Sequence, residues 1–114
     1  MIGITEIRRY AMALPEVSEA QHFKMLAFKV RDKVFVVIQK GNTHAIVSVD
    51  EAQAEAAATQ DPDAYEVVRR NNGRIFVGVR VDLARASGAR LKELVERAWR
   101  HKAPRSLSAA SKAK

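Results

Sequence analysis

The Asn-Gly pair at positions 72 and 73 constrains the fold more than any other short stretch of this sequence. It separates two apolar runs, YEVVR (65–69) and RIFVGVRV (74–81). A tight turn of this type needs positive φ, which Asn and Gly adopt readily, and it joins neighbouring antiparallel strands. The stretch therefore predicts a β-hairpin. Side chains alternate between the two faces of its second strand. One face is predicted to carry Ile75, Val77, Val79 and Val81, and the opposite face Phe76, Gly78 and Arg80.

A second hairpin and a third strand are predicted upstream. LAFKV and VFVVI flank the short turn Arg31-Asp32-Lys33, so residues 26–38 form the hairpin. HAIVSV (44–49) follows a turn signal at 40–43 and forms the third strand. Both faces of VFVVI are apolar, which predicts a central strand with Val34, Val36 and Ile38 on one face and Phe35 and Val37 on the other. Residues 16–24 are polar and are predicted to be a connection.

Four segments have helical periodicity or capping signals. The stripe Ile4, Ile7, Ala11 and Leu14 ends at Pro15. Asp50 and Gln53 resemble a capping box that opens a helix over 51–59, and Asp61-Pro62 predicts a single further turn. The last helix begins at a Ser87 cap, ends before Pro104 and carries an apolar stripe of Leu91, Leu94, Val95, Ala98 and Trp99.

The resulting order is α-β-β-β-α-β-β-α. It predicts an α+β two-layer sandwich, with an antiparallel sheet of about five strands and the terminal helices on one face. The chain has 114 residues, enough for one domain over 1–104, followed by a basic tail (105–114) that is predicted to be disordered. No cysteine is present and no apolar run reaches the length of a membrane span, so neither disulfides nor a membrane partner are expected. A cytoplasmic location is the default expectation.

The net charge of +7 suggests a polyanionic partner, and five of those charges belong to residues 100–114. The remaining basic residues of interest lie at predicted hairpin tips. Seven side chains are candidates for contact with nucleic-acid phosphates: Arg31, Lys33, Arg69, Arg70 and Arg74 at the tips, assisted by Lys102 and Arg105 from the C-terminal segment. Lys40 lies at a third tip. The alternative interpretation is that these charges only keep exposed turns soluble and prevent wrong pairing of strand edges.

Several sequence elements occur together in an order that resembles the MmcQ/YjbR family. They are a first helix ending in ALP, the hairpin AFKVRDKVF, a DP pair after a short helix, the strand GVRVD and a closing AWRHKAP. The resemblance covers about residues 7–107 and implies a frataxin-like α+β fold that binds DNA through a double wing of hairpins. Family members often have a Gly-Trp pair entering the penultimate strand, whereas this chain has Ile75-Phe76 and so lacks the indole N–H donor.

Nothing in the sequence predicts an enzyme, a metal site, a cofactor or a small-molecule substrate. The histidines, His22, His44 and His101, have no second ligand at metal spacing, and no nucleophile or phosphate-binding loop motif is present. The leading hypothesis is weak, sequence-nonspecific nucleic-acid binding, with DNA favoured over RNA, by a monomer or weak homodimer. The alternative is a protein-interaction or dimerisation module that uses an apolar sheet face of Phe35, Val37, Phe76 and Gly78, unless the short Ala-rich helix covers that face.

Overall fold

The computed structural model describes residues 2–107 and contains three helices and six strands. The helices are α1 (Ile4–Met12), α2 (Glu51–Gln60) and α3 (Gly88–Lys102). The strands are β1 (Val17–His22), β2 (Met25–Val30), β3 (Lys33–Ile38), β4 (His44–Val47), β5 (Tyr65–Arg70) and β6 (Ile75–Asp82). None of the helices in this range is both long and apolar enough to cross a lipid bilayer.

All six strands belong to one antiparallel sheet in the order β1-β2-β3-β4-β6-β5. The predicted α+β sandwich is therefore confirmed, and β3 lies in the interior of the sheet as its two apolar faces indicated. The sheet has six strands and not five, because residues 17–22 form β1 and pair with β2 from Val17↔Val30 to His22↔Met25. The prediction of a polar connection over 16–24 was wrong there. An edge strand needs no continuous apolar stripe, and the sequence VSEAQH has none.

The three helices pack on the same face of the sheet and enclose one core. Its largest buried side chains include Trp99 and Leu91 of α3, Phe28 of β2 and Ile7 of α1. Ala54 and Ala57 of α2 belong to the same cluster. The prediction that α2 could cover the opposite face was therefore wrong, and that face, here called the open face, carries no helix within residues 2–107. Because the buried residues of α2 are alanines, the helix contributes only small side chains to the core.

The helix ends follow the predicted capping signals. The Asp50 carboxylate accepts a hydrogen bond from the Gln53 backbone N–H at 2.8 Å, and the Ser87 hydroxyl accepts one from the Arg90 N–H at 3.1 Å. Beyond Pro104, residues 105–107 form a helical turn and Leu107 packs against the core. The rest of the predicted tail, residues 108–114, lies outside the described residues.

Two β-bulges change the side-chain alternation that the sequence predicts. Phe28 pairs with Val36 but Lys29 pairs with Val34, which leaves Phe35 as an extra residue. Phe35 is consequently 0% exposed and lies in the core beneath the helices, so its predicted place on the open face was wrong.

The second bulge has the same effect on Phe76. Val68 pairs with Gly78 and Arg69 with Phe76, so Val77 is the extra residue. Phe76 packs against the core on the side of α2, not on the open face as predicted. Gly78 does lie on the open face, at a close approach of strands, because an added Cβ would stand 2.5 Å from the carbonyl oxygen of Val47.

Candidate nucleic-acid interface

The sheet topology brings two of the three basic turns to one end of the molecule. Val36 of β3 pairs with Val47 of β4, which pairs with Val79 of β6, so the start of β3 and the start of β6 point to the same end. The β2–β3 turn (31–32) and the β5–β6 turn (71–74) therefore lie at that end. Three strand spacings separate them, about 14 Å in total. The turn that carries Lys40 lies at the opposite end of the sheet.

The C-terminal end of α3 reaches the same end of the sheet. A groove of about 310 Å³ is lined by residues from the β2–β3 turn and from the end of α3: Val30, Arg31, Asp32, Lys33, Lys102 and Pro104. Three of the predicted phosphate-contacting residues thus surround one groove. We call the surface formed by the two turns and the last turn of α3 the basic end. Arg105 lies just beyond it in sequence, in the helical turn of 105–107.

The β5–β6 turn has the backbone that its sequence requires. Asn71, Asn72 and Gly73 all have positive φ, of 52°, 57° and 86°. Asn and Gly tolerate this left-handed region best among the common residues, so three such residues in succession favour the reversal at this point. The turn leaves Arg70 and Arg74 exposed on either side of it.

Arg31 is held by an acidic partner. Its Nε donates a hydrogen bond of 2.9 Å to Oε1 of Glu16, and its Nη2 donates one of 2.9 Å to Oε2, so the pair is bidentate. The hydrogen bond from Arg31 lowers the pKa of Glu16, and the same contact raises the pKa of Arg31. Because the pKa of Glu16 is lowered in the folded state, the ion pair stabilises the fold fully at pH values above the ordinary pKa of a glutamate side chain. This stabilisation is lost as the pH falls through the lowered pKa of Glu16.

Arg69 is also engaged within the protein. Its Nη2 forms ion pairs with Glu51 and, at 3.5 Å, with Glu55, both on α2. Its guanidinium lies over the Phe76 ring, 5.7 Å from the ring centroid. Arg69 therefore ties β5 to α2 and covers Phe76. Sequence reasoning missed this role, because the bulge that turns Arg69 and Phe76 towards α2 has no signature in the alternating pattern.

Four residues of the predicted set form no ion pair with any residue between 2 and 107. Lys33, Arg70 and Arg74 are exposed and Lys102 is half-buried. A fifth cation, Arg100, was missing from the predicted set. It lies on the last turns of α3, where it lines a groove with Arg97, His101, Asp50 and Gln53. Like the other four, it forms no ion pair among the described residues. The charge of Arg100 was visible in the sequence, but its proximity to the start of α2 depends on tertiary packing.

The same end of α3 would be basic for purely structural reasons. Arg100, His101 and Lys102 occupy the last turn, where positive charge interacts favourably with the helix dipole. Within the described part of the chain, no group of three His, Asp or Glu side chains is placed to hold a metal ion. The basic end is therefore a surface of charge and hydrogen-bond donors, and its chemistry suits a polyanion.

Comparison with known proteins identifies the family. A model of the YjbR family matches residues 12–101. The chain belongs to the YjbR family. The matched region contains both basic turns and α3 up to His101, so the resemblance noted from the sequence is confirmed over most of the domain.

A solved structure supports the fold of this YjbR protein independently. The crystal structure of Deinococcus radiodurans protein DR2400, which carries the domain DUF419, superposes with a TM-score of 0.72 at 20% sequence identity. The alignment covers 89% of this chain and 78% of that one. At this identity the similarity shows a common fold. A comparison with curated proteins gave no match.

Proposed function

We propose that this YjbR protein binds duplex DNA weakly and without sequence preference, through phosphate contacts from the basic end. The observation that supports this most directly is the convergence of the two basic turns and the end of α3. Five cations without ion pairs among the described residues lie on that surface: Lys33, Arg70, Arg74, Arg100 and Lys102. Each could donate a charge-assisted hydrogen bond to a phosphate oxygen.

The spacing of the turns favours a B-form duplex. About 14 Å separates them, and the major groove of B-DNA is about 12 Å wide. The two turns could therefore contact phosphates on either side of one groove. The major groove of A-form RNA is deep and narrow, which is the basis for favouring DNA over RNA.

Sequence-specific contacts are not part of the proposal. The apolar stripe of α3 is buried against the sheet, with Leu91, Leu94, Val95, Ala98 and Trp99 in the core. No other helix in the described range presents a series of base-reading side chains at the basic end. We propose no catalytic activity for this surface, since its charges supply binding and electrostatic attraction only.

The alternative function, protein interaction through the sheet face, was based on two aromatic residues that do not lie on that face. Phe35 is in the core and Phe76 lies under Arg69. The apolar side chains left on the open face are half-buried aliphatics such as Val37, Ile46 and Val68. The geometry therefore favours the nucleic-acid proposal over a role for this face as a docking surface.

The proposal is tested by measuring affinity for a labelled random-sequence 20-bp duplex by fluorescence anisotropy between 50 and 200 mM salt, a range in which counterion release is readily measured. Five phosphate contacts predict a slope of log affinity against log salt near −4.5, from about −0.9 per contact. The slope should not change with the duplex sequence. Absence of binding at low salt, or a slope near zero, would reject the basic end as a DNA-binding surface.

Substitution of Glu16 tests whether the ion pair restrains Arg31. Glu16→Gln removes the carboxylate that holds Arg31, so Arg31 can act as a sixth phosphate contact. At 0.1 M salt one further contact raises duplex affinity by up to about eightfold. Glu19→Gln is the matched control, because it makes the same change in net charge but disrupts the pair with Arg8 on α1. Equal gains in both variants would show that general charge, and not the release of Arg31, is responsible.

A further inference from the structure

The two edges of the sheet differ in how they are protected against pairing with a further strand. At the β5 edge, Glu66, Arg69 and Arg70 place charges on the strand, and a bulge between Val68 and Arg69 interrupts its register with β6. Charges and bulges of this kind keep sheet edges from pairing with other chains. β1, at the other edge, contains no Lys, Arg or Pro and pairs with β2 over all 6 residues without a register shift. The β1 edge is therefore available for strand addition.

The outward backbone groups of β1 follow from its pairing with β2. The Glu16 carbonyl oxygen accepts a hydrogen bond from the Arg31 N–H at 3.3 Å, so it points towards β2. Backbone groups of successive strand residues point to opposite sides. The N–H and C=O groups of Val17, Glu19 and Gln21 therefore point away from β2, and no other strand of residues 2–107 lies beyond them. They form the row with which a second strand can pair.

An exposed aromatic residue in a strained backbone conformation lies at one end of this edge. Phe23 and Lys24 form the two-residue turn between β1 and β2, with φ of 49° and 65°. Positive φ is unfavourable for a bulky residue, and Asn or Gly is usual in such a turn. The Phe23 side chain is nevertheless 80% exposed, and its ring centroid lies 4.6 Å from that of His22. Phe23 thus combines backbone strain with little burial in the described part of the chain.

A second exposed apolar side chain, Met12, lies at the other end of the edge. Arg8 of α1 forms an ion pair with Glu19 of β1. Met12 is four positions after Arg8, so it lies on the same face of α1 and one turn closer to the start of β1. Its side chain is 44% exposed. The β1 edge therefore has an exposed apolar residue at each end, Met12 near Val17 and Phe23 at the turn.

We propose that β1 pairs with β1 of a second copy of this chain, in antiparallel orientation about a two-fold axis at Ala20. Glu19 then faces Gln21 of the second copy and accepts a hydrogen bond from its side-chain amide. Phe23 of the second copy comes to the start of β1, next to Met12. Because the interface is isologous, each exposed apolar residue is covered by the other copy.

The other registers and the charge of the molecule favour the same arrangement. A register centred on Glu19 sets two carboxylates directly opposite each other, which is destabilising. A register centred on Ser18 leaves Phe23 outside the paired region. Since β1 begins at the basic end, antiparallel pairing places the two basic ends at opposite ends of the joined sheet and keeps their charges apart. The 6 residues of β1 are few beside the roughly 20–30 per partner of a standard interface, so the dimer is weak.

Sedimentation velocity of the full chain without DNA tests the association. The mean mass should rise from 12.7 kDa towards twice that value as the protein concentration approaches about 1 mM, where weak complexes form. A constant mass over this range overturns the proposal. Arg70→Gln/Arg74→Gln should dimerise as the wild type does, so failure of this proposal and failure of the DNA proposal are distinguishable.

Cysteine cross-linking tests the register, since the chain has no cysteine of its own. Ala20→Cys should form a disulfide-linked dimer on mild oxidation, because Cβ atoms of directly opposite residues are about 4.5–5.5 Å apart. Ser18→Cys is the matched control on the same face of β1. In the proposed register its two copies lie four positions apart along the strands, about 14 Å, which is beyond the reach of a disulfide. Equal cross-linking of the two variants overturns the proposed pairing.

Phe23→Asn separates dimerisation from folding. Asn tolerates the positive φ of this turn, so the variant should keep or raise the unfolding temperature. Loss of the ring from both copies should weaken dimerisation at least about tenfold. Ile75→Asn removes another exposed apolar side chain, at the start of β6, and should leave dimerisation unchanged. Unaltered dimerisation in Phe23→Asn, or an equal loss in both variants, overturns the proposal.

Discussion

Replacement of Arg70 and Arg74 by glutamine should weaken duplex binding about 60-fold at 0.1 M salt. Each phosphate contact contributes about 0.9 to the salt slope, so at 0.1 M each is worth roughly eightfold in affinity relative to 1 M salt. Two lost contacts should also move the slope from about −4.5 to about −2.7. Arg70 and Arg74 are suitable targets because both are exposed and neither forms an ion pair with another residue in the described range. Their removal should not affect the fold.

The matched control for this variant is Lys24→Gln/Lys92→Gln. Both double variants lower the formal net charge from +7 to +5, but Lys24 lies at the opposite end of the sheet and Lys92 lies near the start of α3. The control should lose little affinity, and its slope should stay near the wild-type value. Equal losses in the two variants would mean that overall charge attracts the duplex and that no part of the surface is a defined binding site.

Much of the fold was predictable because local sequence signals and tertiary structure agree. Alternating apolar residues, the Asn-Gly turn and the caps Asp50 and Ser87 each specify their element without help from distant residues. The exception is β1, whose polar sequence is compatible with a sheet edge but equally with a loop. Only its pairing with β2 makes it a strand.

The candidate site was less predictable, because it depends on the bulges and on contacts between distant residues. An inserted residue reverses the alternation beyond it, so Phe35 and Phe76 moved from the predicted open face to the helix side. Arg31 forms an ion pair with Glu16, 15 positions away in sequence, and Arg69 forms one with Glu51, 18 positions away. Such pairings cannot be derived from spacing along one chain. The exposed tips were predictable, whereas the residues that neutralise some of them were not.

Trp99 offers the largest expected effect on stability. It is only 1% exposed, and its Nε1–H donates a hydrogen bond of 3.0 Å to the carbonyl oxygen of Pro15. This contact joins α3 to the connection between α1 and β1, immediately before Glu16. Trp99→Ala should lower the free energy of unfolding by about 3–5 kcal/mol, through lost burial and the cavity that remains. Since Trp99 is the only tryptophan, urea unfolding must be followed by far-UV circular dichroism and not by tryptophan fluorescence.

Trp99→Phe separates the ring from its hydrogen bond. Phenylalanine keeps most of the apolar volume, but it leaves the Pro15 carbonyl without its donor, so a loss of about 1–3 kcal/mol is expected. The two variants should therefore differ by the effect of the cavity. Equal losses in both would mean that the hydrogen bond to Pro15 carries the whole contribution of Trp99. A negligible loss in Trp99→Phe would mean that packing alone holds the connection in place. In that case the position of Glu16 next to Arg31 would not depend on the hydrogen bond from Trp99.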